Sequence, residues 1–208
     1  MPVIAIDGPA GSGKSTVARA VACRLGVDHL DTGAMYRSVA FAALRAGIDP
    51  SDEPSVSALA RRLEIVVDDR VLVDGEDATE AIRGPEVSVA VSAVAQVPSV
   101  RAELVRRQRA WVTARGGAVV EGRDIGSVVL PDADVKVYLT ASDEERARRR
   151  AGEPGQPGGA EVAADLARRD RLDSGRSASP LVVADGAVVI DTTGLSVDEV
   201  VDAIVVLL

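Results

Sequence analysis

Gly8, Gly13, Lys14 and Ser15 stand at the spacing G-x-x-x-x-G-K-[ST] within Gly8-Pro-Ala-Gly-Ser-Gly-Lys-Ser-Thr16, and residues of these types in this order have a specific use. Backbone N–H groups can close around a polyphosphate only where no side chain obstructs them, which glycine at positions 8, 11 and 13 permits. Lys14 can reach the outer phosphates, the Ser15 hydroxyl can ligate magnesium, and a helix beginning near Lys14 turns its positive end toward the anion. The expected chemistry is the holding of ATP with Mg2+ by Gly8, Pro9, Ala10, Gly11, Ser12, Gly13, Lys14, Ser15 and Thr16.

Such a loop needs a strand before it and a helix after it. The run Val3 to Asp7 supplies the strand, and Val17, Ala18, Val21, Ala22 and Leu25 give the helix its apolar stripe, with Gly26 as the stop. A short strand at Val27 to Leu30 then delivers Asp31-Thr-Gly33 at its carboxyl end, where parallel α/β sheets bind ligands. Asp31, Thr32, Tyr36 and Arg37 are thereby placed for a second ligand, although Asp31 also suits a helix cap. Pro50 to Pro54 reads as a linker, Val56 to Leu63 as a short helix, and Glu64 to Gly75 as a β-hairpin interrupting the αβ rhythm. Glu86 to Val94 reads as helix, and Ser99 is expected to cap another over Val100 to Thr113. Strands follow at Ala118 and Asp134, and Ser142 with Glu145 forms a capping box for a helix carrying Arg146, Arg148, Arg149 and Arg150. Gly152 to Gly159 is a Gly/Pro break before a second arginine-bearing helix, about Ala160 to Leu172; two such helices around a flexible tip have the makings of a lid, with Arg148 left to solvent. The chain closes on a strand from Ala187 and a helix boxed by Ser196 and Glu199.

Five parallel strands with crossover helices make an α/β fold of the P-loop NTPase type, carrying an inserted subdomain with the hairpin and a helical lid. The expected division is a core at about 1–50, 95–140 and 177–208, an acceptor-binding region at about 31–94 and a lid at about 142–172. One cysteine, Cys23, excludes an internal disulfide framework and reads as core filler; the one histidine, His29, reads as structural. With no basic-apolar leader before residue 3, no apolar run near the roughly 20 residues of a membrane span and a net charge of −8, the expectation is a cytoplasmic protein without nucleic-acid or membrane partners.

The chain contains no asparagine, so the Asn-Lys-x-Asp guanine reader of GTPases is absent, and motors need longer chains. A small-molecule kinase needs an acceptor site, arginines for the moving phosphoryl and a lid that excludes water, and each has candidates. Ile6 to Thr16, Leu30-Asp-Thr-Gly-Ala-Met-Tyr-Arg37, Asp74 to Asp77 with Ile82-Arg83, Arg101 with Arg107-Gln-Arg109, Glu121-Gly-Arg-Asp-Ile-Gly126, and Arg169-Asp-x-x-Asp173 with Arg176 and Ser179-Pro-Leu181 together resemble the bacterial cytidylate kinase family over nearly the whole chain.

That resemblance implies a monomeric enzyme that converts ATP and CMP or dCMP, with Mg2+, to ADP and the diphosphate. Thr32, Arg37 and Arg123 would hold the acceptor phosphate, with Asp31 and Tyr36 shaping the pocket; Arg101, Asp124 and Arg176 would face the base, and Ser92, Arg169 and Asp173 the sugar. Cytosine's amine donates to a carboxylate such as Asp124, whereas uracil offers a carbonyl there and would be rejected. Lys14, Arg123, Arg149 and Arg150 would stabilise the moving phosphoryl, and Arg146 and Arg149 would contact ATP, though the Gly/Pro-rich tip departs from the longer, more regular lid usual in the family. Two other readings stay open: a related P-loop kinase for UMP, AMP or a shikimate-like acceptor, and a nucleotide-binding regulator without turnover.

Overall fold

The computed structural model describes residues 1–152, 160–175 and 181–208. In chain order the elements are β1 (Val3–Asp7), α1 (Lys14–Leu25), β2 (Asp28–Asp31), α2 (Thr32–Arg45), α3 (Glu53–Arg62), β3 (Ile65–Val67), β4 (Val71–Val73), β5 (Glu76–Asp77), α4 (Pro85–Val94), α5 (Pro98–Arg115), β6 (Ala118–Gly122), β7 (Val135–Thr140), α6 (Asp143–Ala151), α7 (Ala160–Ser174), β8 (Val188–Asp191) and α8 (Val197–Val205). The chain forms two compact units, one of Met1–His29 with Val112–Leu208 and one of Leu30–Trp111.

The first unit is built on the five-stranded parallel sheet, ordered β2-β6-β1-β7-β8. β1 lies in the middle, paired in register with β6 (Ile4 opposite Val119) and with β7 (Ile6 opposite Val137). Strands flanked on both sides must be apolar on both faces, and Ile4, Ala5 and Ile6 are fully buried. The Val17, Ala18, Val21 and Ala22 stripe of α1 and Val200, Val201 and Ile204 of α8 close over Ile4, Ile6, Val119, Val137 and Leu139 to make one core. Cys23 is exposed, not core filler, because it falls one residue outside the α1 stripe, about 100° around the helix.

In the second unit α2 packs against α3 and α4 and against the hairpin strands β3 and β4. The hairpin has a third strand, the two-residue β5, paired antiparallel to β4. α2 begins at Thr32, because Asp31 accepts from Ala34 N at 2.9 Å and caps it. α3 likewise starts inside the expected linker, with Asp52 as cap and Pro54 in its first turn, where proline costs nothing. Ser99 is not a cap: α5 starts at Pro98, and the Ser99 hydroxyl is bonded to Ser57 of α3 at 2.5 Å.

Of the two expected capping boxes, Ser196 and Glu199 form both bonds. Ser142 forms half of one. Its Oγ accepts from Glu145 N at 3.2 Å, but the Glu145 carboxylate is taken by Arg148 and Arg149, and Ser142 N donates instead to Thr193 Oγ1.

Candidate active site

The phosphate loop connects β1 to α1 through three glycines with positive φ, and two of them are dictated by contacts. A Cβ on Gly8 (φ 151°) would stand 2.1 Å from the Leu139 carbonyl oxygen, and one on Gly11 (φ 76°) would stand 2.9 Å from that of Arg146. α1 starts at Lys14 with Gly13 as its cap and no side chain bonded to its first N–H groups, so these donors remain available to an anion. Lys14 is buried, and its Nζ donates to Pro9 O at 2.6 Å and to Ser12 Oγ at 3.5 Å. Burial, reinforced by the nearby Arg123 guanidinium and opposed by Glu121 and Asp7, lowers its pKa from 10.5 to about 7.

Around the loop stand groups from β6, β7 and the arginine helices. Ser15 Oγ donates to Glu121 Oε2 at 2.8 Å, which orients its lone pairs away from that carboxylate. Arg123 donates from Nε to Asp173 Oδ2 at 2.7 Å and from Nη1 to Gly8 O at 3.1 Å, so a residue expected at the acceptor phosphate touches the loop itself. Asp124, next to it, is buried. Asp7, ending β1, accepts from Ile125 N and Gly126 N, each at 2.7 Å, and so fixes the π-helical turn Ile125–Val129 that follows Asp124. Burial raises the Asp7 pKa to about 6, against the lowering effect of those two amides.

The α6 arginines divide by helical angle. Arg146, buried, donates to Ala10 O of the loop at 3.1 Å and to Asp143 and Asp170. Arg149 donates to Glu145 and to both Oγ1 and O of Thr192, and the Thr192 hydroxyl in turn lies 3.3 Å from Ser12 O. The Arg149 Nη1 is 3.2 Å from where a Gly13 Cβ would be, which brings the guanidinium against the loop. Arg150 is half-buried, and Arg148 is solvent-facing at 73 % side-chain exposure, bonded to Glu145. The side chain of Arg169, the whole of Arg176 and the lid tip at 153–159 lie outside the described residues.

The second unit presents its own cluster. Asp31 Oδ2 accepts from Arg37 Nη2 at 2.8 Å while Oδ1 caps α2, so cap and ion pair coexist on one carboxylate. Thr32 is buried in the first turn. The Arg101 guanidinium, itself buried, lies over the Tyr36 ring at 5.5 Å and donates to Ala95 O. Ser92 is half-buried on α4. Sequence reasoning missed Thr192 altogether, and quoted Asp7, Asp170 and Glu121 without a role at the site. A carboxylate at or next to the end of an otherwise apolar strand, as at Asp7 and Glu121, was the available signal.

Mg2+ fits the residues present in one way only among those described. No group of three or more His, Cys, Asp or Glu could cage a metal there, but the half-buried Ser15 hydroxyl, with its proton directed at Glu121, suits an ion carried in with phosphates and water.

A parallel α/β sheet with a glycine loop, a buried lysine at a helix start and converging arginines defines a P-loop phosphotransferase of the small-molecule kinase class. The fold agrees with that of shikimate kinase from Acinetobacter baumannii, at a TM-score of 0.50 and 16% identity over 99% of this chain and 91% of that one. The sequence model described as cytidylate kinase matches residues 4–208. The chain is 52% identical to the cytidylate kinase of Desulfitobacterium hafniense (strain Y51), over 97% of this chain and 90% of that protein. It is 51% identical to the one from Mycobacterium leprae (strain Br4923), over 96% and 92%. The chain belongs to the cytidylate kinase family.

Proposed function

We propose that this protein transfers the γ-phosphoryl of ATP to CMP or dCMP, giving ADP and CDP or dCDP. The family match across residues 4–208 carries the reading, and the loop geometry supports its donor half. The α1 N–H groups and Lys14 bind the phosphates of ATP, with Arg146, bonded to the loop at Ala10 O, and Arg149, joined to it through Thr192, closing over it. The Ser15 hydroxyl would hold Mg2+, which would supply charge neutralisation to the phosphates of ATP. Phosphoryl transfer asks for alignment and charge stabilisation rather than a protein nucleophile, and Lys14, Arg123, Arg149 and Arg150 serve that need.

For the acceptor, Thr32, Arg37 and Arg123 bind the phosphate, and Asp31 orients Arg37 through their ion pair. Arg101, Asp124 and Arg176 read the base, the Tyr36 ring keeping the Arg101 guanidinium flat and in place. Ser92, Arg169 and Asp173 bind the sugar. The acceptor-binding region is about 31–94, which falls in the second unit, and the lid is about 142–172, although Arg123, Asp124, Arg169, Asp173 and Arg176 join the acceptor site from the first unit's stretch of chain. The enzyme works as a cytoplasmic monomer on small molecules.

Coupled ADP release measured with CMP, dCMP, UMP, AMP and shikimate tests the proposal. Turnover with the two cytidine nucleotides well above the other three is expected. Preference for any other acceptor refutes the base assignment, and no acceptor-dependent ADP at all would leave a nucleotide-binding regulator.

A further inference from the structure

His29 is the one histidine of the chain, and phosphoryl transfer as set out above makes no use of it. Its place is nevertheless particular. Nε2 lies 3.1 Å from Glu121 Oε1, while the other oxygen of the same carboxylate, Oε2, accepts from Ser15 Oγ at 2.8 Å. The Glu121 side chain is 4 % exposed and that of His29 17 %. β2 and β6, which carry His29 and Glu121, are neighbours in the sheet, and Ser15 lies in the first turn of α1. A side chain on one strand thus reaches the phosphate loop through a carboxylate on the next.

A carboxylate oxygen can only accept, so the contact requires hydrogen on Nε2. With Oε1 anchored by that N–H, the Glu121 carboxylate is held in one rotation and its second oxygen stays turned to Ser15. Without the anchor, the carboxylate loses one restraint on rotation about its last bond and on turning toward Lys14, with which it interacts electrostatically. Either motion releases the Ser15 hydroxyl, whose lone pairs can serve a cation only while its proton is directed elsewhere.

We propose that His29 is a positioning residue for the metal-bearing end of the phosphate loop, acting through Glu121 to orient the Ser15 hydroxyl. This rests on the reading of Ser15 as the residue that meets Mg2+. The residue acts on metal-dependent nucleotide binding and leaves metal-free binding and acceptor recognition alone.

The test compares ADP affinity by calorimetry in Mg2+ and in EDTA for the wild type and for His29→Ala, His29→Gln and Ser15→Ala, with thermal melting to establish that each variant is folded. His29→Ala should lose about fivefold to tenfold of the affinity gained from Mg2+, the size of one hydrogen bond to a charged group felt at second hand, with affinity in EDTA unchanged. His29→Gln, whose amide N–H can reach the Nε2 position, should restore most of the gain. Because there is a single histidine, long-range 1H–15N spectra give one imidazole pattern; it should show Nε2–H in the wild type and shift on Glu121→Gln. Loss of the Mg2+ gain in Ser15→Ala but not in His29→Ala overturns the role of His29 and keeps that of Ser15. A gain unchanged in both variants overturns the reading of Ser15 itself. Equal losses with and without metal, failure of glutamine to rescue, or an Nδ1–H tautomer would reduce His29 to a structural residue and end the proposal.

Discussion

Binding of ATP should carry a proton into the protein, because Lys14 sits in the free loop with its pKa lowered to about 7 by burial and by Arg123. A fall from 10.5 to about 7 corresponds to about 5 kcal/mol of opposition to the charged form. Surrounding phosphate oxygens replace the Pro9 carbonyl as partners and remove most of that opposition, so bound nucleotide restores a protonated lysine. At pH 8 about one free molecule in ten carries the charge, and binding should take up about 0.9 proton per ATP, with affinity falling about tenfold per pH unit above 7. Titration calorimetry of Mg·ATP binding at pH 8.0 in buffers of different ionisation enthalpy reads the uptake directly, at a pH where the terminal phosphate, with a second pKa near ~6, is fully ionised and contributes none. Lys14→Met should show no uptake, and Lys14→Arg, whose guanidinium never deprotonates, none either. The folded free protein binds fewer protons than the unfolded chain between about pH 7 and 10.5, so its stability should rise with pH across that window. Enthalpies independent of buffer, with an affinity flat from pH 7 to 9.5 in the wild type, would refute the assignment of a neutralised lysine.

Three further outcomes follow from particular contacts. Gly8→Ala, whose Cβ would stand 2.1 Å from the Leu139 carbonyl oxygen, should lower stability by at least about 2 kcal/mol in urea and abolish ATP binding, since backbone cannot give way as a side chain can. Arg107 donates to the carbonyls of Leu63, Ala60 and Arg61 at 2.6, 2.8 and 3.0 Å and so closes the C-terminus of α3; Arg107→Ala should cost about 2 kcal/mol and reduce amide protection at that helix end, whereas Arg106→Ala, paired to the same Glu103 in solvent, should cost under about 0.5 kcal/mol. Asp7 titrates near 6 in the folded protein against 3.8 unfolded, so the fold holds its proton longer and stability should fall by up to about 3 kcal/mol as pH rises from about 4 to 6; urea midpoints at pH 4.5 and 6.5 should lose this component in Asp7→Asn.

What could be read from the sequence, and what could not, divides along one physical line. The phosphate loop was legible because its constraints are local: a backbone that must approach an anion excludes side chains at named positions, and the strand and helix that present it repeat their apolar residues at fixed periods. Asp31 was legible as a cap, since a cap bonds within the turn that follows it, whereas its ion pair with Arg37 came only from the structure. The two-residue strand β5 escaped because Glu76 and Asp77 carry no alternation of their own and are strand only by pairing with Val73 and Leu72. Cys23 was misplaced by arguing from residue type when the angular stripe of α1 already excluded it. The arginines are the instructive case. Their number on α6 suggests phosphate chemistry, but which ones reach the phosphate loop is decided by partners far along the chain. Arg146 is aimed at the loop by Asp170 and Arg149 by Thr192, while Arg148, one position from Arg149 and about 100° around the helix, pairs among the described residues with Glu145 of its own helix. Spacing within the helix separates Arg148 from the other two, but only the fold supplies Asp170 and Thr192. A sequence therefore discloses a site to the extent that its partners lie within a turn or a strand of each other, and the positioning groups, Asp7, Glu121, Asp170 and Thr192, are the ones that fail this condition.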